Sequence, residues 1–374
     1  AIVGVEAFMN PVQSEEFNIG YYLGTDLPGD FDLDLGVRYD SVNRKGSITE
    51  HHEEEHHDDD HGDDHGDDHG DEHEDEHHEM EEVFFDNTYE EYSFSASIRK
   101  QINDSMSFDV SFSSVANAPS STNLAMNGPH LARGRFETGD VNLDPERGNN
   151  FEGTLFYDDG DFFGQFTLFQ NSISNYIYLQ DELEHMDEDH HDEDHGDEDH
   201  GDEDHGDEDH DEHEGHDDHG GLIHADFLQQ DADFNGYEFE FGRRFILASG
   251  ELELSFGRDV VNGEFSDGEN IPRITPARNL YSLSYVASDL RLNLTLKDVE
   301  AQKEIGDGET ITDGYKMLNL RVGKDYNLAS GNNLRVSLFA NNILDEVARN
   351  HASYVKDQVP LPGVNFGVRF NLDF

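Results

Sequence analysis

Two stretches of this 374-residue chain concentrate side chains that bind metal cations. Glu50–Glu82 holds 19 acidic residues and 10 histidines: His51, His52, His56, His57, His61, His65, His69, His73, His77 and His78. Asp181–His224 holds 23 acidic residues and 11 histidines: His185, His190, His191, His195, His200, His205, His210, His213, His216, His219 and His224. Neither stretch contains Lys or Arg. Imidazole nitrogen and carboxylate oxygen are what Zn²⁺ takes where no thiolate is on hand, usually with tetrahedral geometry. Near pH 7 an unperturbed His is mostly neutral and free to ligate. The chain has no Cys and 6 Met, which suits copper(I) poorly. Calcium and magnesium prefer all-oxygen shells and leave these histidines unexplained. Nickel and cobalt use the same ligands as zinc and stay open.

Both runs are repeats. His61, His65, His69 and His73 recur every four residues, and His195, His200, His205 and His210 every five. Such segments have almost nothing to bury and repel themselves, so they are expected to be disordered without a ligand. A Gly-interrupted repeat imposes little geometry, so many weak sites are expected rather than one tight one. A solvated acidic fringe is the bland alternative, and the regular His insertion speaks against it. Two further histidines, His130 and His351, stand in shorter loops of mixed composition. A lone loop His is more often a surface residue than a ligand, but both are kept as candidate metal ligands.

The rest of the chain must hold these loops. Outside the two runs, 297 residues carry a net charge of -21 and every Phe and Tyr. They alternate apolar and polar with period two, as in Phe31/Leu33/Leu35/Val37/Tyr39, Leu290/Leu292/Leu294/Leu296 and Phe366/Val368/Phe370/Leu372/Phe374. Counting Ile2–Phe8, the pattern predicts about fourteen strands of roughly ten residues, each with one apolar face. Short turns are expected at Asp26–Asp30, Ile102–Ser105, Asp158–Asp161, Ala248–Gly250, Ser288–Asp289 and Asn327–Gly331. Long loops are expected at Ser41–Asn87, Asn117–Gly148, Asp181–Asp231, Val261–Pro276, Ala301–Thr312 and Ile343–Val364. Short turns at one end and long loops at the other are the pattern of an all-β, transmembrane antiparallel β-barrel. A soluble β-sandwich or a β-helix is the alternative. No apolar run approaches the roughly 20 residues of a membrane helix.

Four strands separate the two runs, so both emerge at the long-loop end, together with His130 and His351. Arg243-Arg244, near the other end of a strand, reads as a headgroup-level or lumen charge. The formal net charge of -63 argues against nucleic-acid binding. No catalytic motif is present: there is no Gly-x-Ser-x-Gly elbow, no His-Glu-x-x-His and no phosphate loop.

Over residues 88 to 374 the chain resembles a known family. Asn127-Gly-Pro-His130-Leu-Ala-Arg-Gly, then Phe136-Glu-Thr-Gly and Leu143-Asp-Pro-Glu146, resemble a segment that precedes a barrel strand in TonB-dependent outer-membrane receptors. Ile271-Pro-Arg-Ile-Thr-Pro-Ala-Arg278, Leu338-Phe-Ala-Asn-Asn-Ile-Leu-Asp345 and Val359-Pro-Leu-Pro-Gly363-Val-Asn-Phe366 resemble its later strand borders. Within that family the likeness is greatest to the zinc-uptake receptors. The resemblance implies a bacterial outer-membrane location and membrane lipid as surroundings. It implies Zn²⁺ as transported ion rather than catalytic cofactor, and the inner-membrane TonB complex as partner. The family closes its barrel with about 22 strands around an N-terminal plug. The expectation is therefore that residues 1–374 are the C-terminal part of such a barrel, with residues 50–82 and 181–224 as His-rich extracellular loops. A complete fourteen-strand pore is the competing explanation. A receptor for haem or a siderophore and a metal-buffering surface barrel are the functional alternatives.

Overall fold

The computed structural model describes residues 8–51, 80–182, 221–329 and 331–373. They form β1 (Gln13–Leu27), β2 (Phe31–His51), β3 (Met80–Asn103), β4 (Met106–Asn117), the short helix α1 (Ser121–Ala125), β5 (Asn127–His130) and β6 (Arg135–Thr138). Then follow β7 (Glu146–Asp158), β8 (Phe162–Asp181), β9 (Ile223–Leu247), β10 (Gly250–Phe265), β11 (Arg278–Val286), β12 (Leu290–Val299), β13 (Tyr315–Asn327), β14 (Asn333–Asn341) and β15 (Asn365–Asp373). Thirteen strands run in one antiparallel path in chain order, from β1 to β15, with only β5 and β6 off it. These thirteen coincide with the alternating segments of the sequence. The expected strand at Ile2–Phe8 lies almost wholly outside the described residues; Phe8 itself is irregular. Among the described residues β1 pairs only with β2 and β15 only with β14, so the barrel is not closed.

The alternation explains the two faces. Phe17, Tyr21, Phe94, Phe241, Phe366 and Phe370 are exposed on the apolar face, which in a membrane barrel is solvated by lipid. The opposite face carries paired charges. Asp325, for example, accepts from Arg291 at 2.7 Å and from Arg335 at 2.6 Å. Tight turns close the other end. Gly29 and Asp30 take left-handed φ values of 86° and 61°. Asp158 and Asp159 accept from the N–H groups of Gly160 and Asp161 at 2.9 and 3.0 Å, the local bond that makes Asp a turn residue.

Three expectations are corrected. Strands of roughly ten residues hold for β11 to β15, but β2, β3, β8 and β9 have 21, 24, 20 and 25 residues. Loops were expected to begin at Ser41 and to end at Asn87 and Asp231. Instead the hairpins continue to His51, from Met80 and from Ile223. Polar pairs sustain these ladders where apolar alternation stops: Lys45 bonds Asp86 at 2.8 Å and Ser47 bonds Glu82 at 2.6 Å. The margins of the acidic runs, including His51 and His224, are thus strand rather than disordered loop. The remainder of both runs lies outside the described residues. Finally, the Asn117–Gly148 loop contains α1, β5 and β6.

That loop supplies the largest buried apolar cluster among the described residues. Leu124, Ala125, Met126 and Leu143 pack against Phe85, Leu179, Ala225 and Phe227 from the long strands. The hydrophobic core sits at the long-loop end, not inside the sheet.

Candidate functional site

The segment between β4 and β7 folds into a cap. Ser120 starts α1 with a capping box: its hydroxyl accepts from Asn123 N–H at 3.1 Å, and Asn123 Oδ1 accepts from Ser120 N–H at 2.9 Å. This satisfies donors that a short helix leaves open and turns Leu124 and Ala125 inward. β5 and β6 form a hairpin whose turn closes with Arg133 N–H on His130 O at 2.9 Å and a left-handed Gly134, φ 66°. β6 then pairs in parallel with the start of β9, Arg135–Thr138 against Ile223–Asp226.

The cap holds the roots of both acidic runs. For the second run, Arg135 clamps Asp181 through Nε at 2.6 Å and Nη2 at 2.5 Å, and β6 pairs with Ile223–Asp226 at its other margin. For the first run, the Asn127 amide donates to the carbonyl of Thr49. Elsewhere the cap is tied to the strands by Asn87 on Val141 O at 2.7 Å and by Gln229, bonded both ways to the backbone of Asp144 at 2.8 and 2.7 Å.

A charged layer lies beside it. Arg273 adds a 3.4 Å contact to Asp181. The Tyr354 ring is faced by Arg273, Arg135 and Arg133 at 3.6, 4.5 and 5.1 Å. Burial raises the Tyr354 phenol above its usual range, against the opposing pull of Arg273 and Arg133. Glu137 is fully buried; its Oε1 accepts from Arg133 at 3.0 Å, and its Oε2 has no partner among the described residues.

Each described candidate histidine has a definite place. His130 ends β5, stacks on Phe8 with centroids 6.5 Å apart, and holds Nδ1 3.0 Å from Glu137 Oε1. His224 stacks on Phe136 at 5.0 Å, with Nδ1 3.8 Å from Glu182 Oε2. The register aligns His130 with Arg135 and Ile223, but His224 with Phe136 and Pro129. His130 and His224 therefore point to opposite faces of one ribbon. His351 is buried in the β14–β15 loop, with Nδ1 2.9 Å from Thr312 Oγ1 and 3.2 Å from Lys356 Nζ, and Nε2 3.6 Å from Glu309 Oε2. Burial lowers the Lys356 ammonium below its usual range. His51 is the last residue of β2. The other nineteen, from His52 to His78 and from His185 to His219, lie outside the described residues.

Among the described residues no group of three His, Asp or Glu is set to hold a metal ion. His130 and Glu137 share their space with Arg133, and His351 with Lys356. A cation at either place meets a positive neighbour.

Residues 9–343 match the family described as TonB dependent receptor-like, beta-barrel. The chain belongs to that family. As a TonB-dependent receptor barrel it sits in the outer membrane, apolar face to lipid. Such barrels have short turns on the periplasmic side and long loops outside, so the cap and all described histidines stand at the outer mouth. The fold is similar to the copper transporter OprC: TM-score 0.68, 13% identity, over 97% of this chain and 50% of that one. It is similar to the ferric yersiniabactin uptake receptor FyuA from Yersinia pestis: TM-score 0.60, 14% identity, over 97% and 46%. The ferric citrate transporter FecA in its unliganded form gives TM-score 0.60, 14% identity, over 98% and 46%. This chain spans about half the length of these structures. The family and these neighbours are receptors and transporters, not enzymes.

Sequence reasoning missed the cap hairpin and its clamp. The alternation Arg135-Phe-Glu-Thr138 was the available signal for β6. Asp181 was hidden as one acid among the 23 of its run.

Proposed function

We propose that this chain is the barrel part of a receptor that takes up a divalent transition metal ion, with zinc the favoured substrate. The observation that carries the reading is the pair of His-rich acidic runs, 21 His among 42 acids, rooted on both sides of one cap. The runs collect the ion. Their charge raises the local cation concentration, but salt screens that field beyond about 8–10 Å. It attracts zinc and calcium alike, so selection falls to ligands held more rigidly, and His130 on the cap hairpin is the candidate. Energy from the inner membrane through TonB then drives release inward, as the family resemblance implies.

One observation favours the chelate reading: three guanidiniums around Tyr354 offer cations and a ring at the mouth. Those charges are already committed, Arg135 and Arg273 to Asp181 and Arg133 to Glu137. The ion reading keeps priority.

The test is uptake of radioactive zinc by cells expressing the natural gene or variants. Deleting residues 52–79 and 183–219 leaves every described strand in place. It should raise the zinc concentration for half-maximal uptake while uptake at saturating zinc persists. H130A should impair uptake with both runs intact. Loss of all uptake in the double deletion, with H130A unaffected, would refute the division between collecting runs and selecting cap. Uptake of a ferric chelate in preference to zinc would refute the cargo.

A further inference from the structure

Along β9, the residues Tyr237, Phe239, Phe241, Phe245 and Leu247 form the apolar, lipid-facing row. Arg243 occupies the same row, between Phe241 and Phe245. Its cross-strand neighbours are Phe162 and Leu254, both exposed apolar residues. The guanidinium lies over the rings of Phe162 and Phe245, 4.6 and 4.7 Å from their centroids. No described residue gives it a hydrogen bond or an ion pair. The adjacent Arg244 points to the inner face and takes the nearby carboxylates, Asp158 at 3.0 Å and Glu253 at 3.2 Å.

Depth follows from the register. Arg243 is paired with the first residue of β8, directly after the acidic turn 159–161. That turn is in water, so Arg243 stands at headgroup level on the short-turn side. Two other cations share this outward position near strand ends: Lys100 over Phe31 at 4.6 Å and Lys324 over Tyr326 at 5.6 Å. Each of those has a carboxylate nearby, Asp30 at 3.8 Å and Asp289 at 3.5 Å. Arg243 has only π faces.

We propose that Arg243 is a docking point for the phosphodiester headgroup of a phospholipid in the short-turn leaflet. A charge facing hydrocarbon is unfavourable unless it reaches an anion or water. Here no described residue supplies an anion, and phosphate is the anion at that depth. The planar fork of Arg matches two phosphate oxygens at once, and the flanking rings of Phe162 and Phe245 hold the guanidinium beside the strand. Leu254 and Phe241 leave apolar surface beside it for the acyl chains. The inference is independent of the transported substrate.

The natural gene product, extracted in detergent, can be titrated with phosphatidylglycerol and followed by native mass spectrometry. Wild type should retain the lipid, and neither millimolar inorganic phosphate nor diacylglycerol should replace it. R243Q should weaken retention by about tenfold, and R243K by about threefold because charge remains without the fork. K324Q should match wild type. Retention by R243Q within twofold of wild type, or an equal loss in K324Q, would overturn the site. Folding of each variant is checked by heat-modifiable electrophoretic mobility. Should R243Q not fold, the double variant F162L/F245L removes the rings while keeping an apolar surface. It should weaken retention several-fold, and unchanged retention would overturn the proposal equally.

Discussion

The Arg135–Asp181 clamp sets how firmly the cap is held, and its strength can be worked from the geometry. Both side chains are less than one-tenth exposed, 7% and 8%. Removing one partner of a buried pair costs about 3–5 kcal/mol, since the other charge is left uncompensated. Two features pull this toward the lower bound. Arg135 Nη1 also donates to the carbonyls of Arg133 at 2.6 Å and Tyr354 at 3.2 Å. Asp181 keeps Arg273 at 3.4 Å. R135A and D181A should each destabilise the closed cap by about 3 kcal/mol, roughly 150-fold in its opening equilibrium. R135M/D181L removes both charges and should recover most of that, leaving a cost of about 1 kcal/mol where two additive losses would give about 6 kcal/mol. Hydrogen exchange reads this locally. Amides of β6 and of the first residues of β9 should exchange about 100-fold faster in either single variant. Those of β12 to β14 should not change, because that part of the sheet is remote from the clamp. Additive single effects, or acceleration spread evenly over the barrel, would refute the reasoning.

Two further outcomes follow from the same region. A Cβ at Gly139 would lie 2.8 Å from Asn123 O and Leu124 C and 2.9 Å from Ala125 N, all backbone atoms that cannot swing away. G139A should therefore displace α1 at about 1–3 kcal/mol, seen as new proteolysis around Ser120–Asn127 with barrel melting unchanged. The buried carboxyl of Glu309 is pushed up by burial, but His351 and the N–H groups of Arg273 and Gly306 outweigh this and hold it below the usual carboxylate range. A depressed folded value means stability that is present above the unfolded value and lost as pH falls through the folded one. Exchange protection of residues 303–312 should thus be flat from pH 7 to about 5 and fall only below about 4; E309Q should lower it at neutral pH and abolish that acid step. A protection loss centred near pH 6 instead would assign it to another group.

The sheet was legible because a two-residue period is written into every crossing strand. Leu290/Leu292/Leu294/Leu296 permits one register face and no other. The alternation of short and long connections then fixed which end carries the histidines. What the period could not show was where a ladder continues on polar pairs, as at Lys45–Asp86, or where a loop forms its own core around Leu124 and Met126. Those depend on residues far apart in the chain. The candidate site was legible in composition only. The motif singles out His130 as a candidate, yet not its buried neighbour Glu137 or the guanidinium of Arg133, since nothing in their spacing announces a shared carboxylate. The sequence of Arg243-Arg244 fits either headgroup or lumen, and the pleat gives one residue to each.

The charge arrangement at the mouth bears on how a collected cation would pass. The runs are acidic throughout, whereas the cap layer at their roots carries Arg133, Arg135, Arg273 and Lys356 against Glu137, Asp181 and Glu309. The layer is internally neutralised with a slight positive excess. On the proposed function, an ion collected by the runs would meet this slight positive excess at the outer mouth, which opposes its entry. Under the proposed function, passage then requires the cap to move, and the clamp that must loosen is rooted on Asp181, the first residue of a metal-collecting run. Ion loading of that run would reach the cap at both of its margins, through Asp181 and through the Ile223–Asp226 pairing with β6.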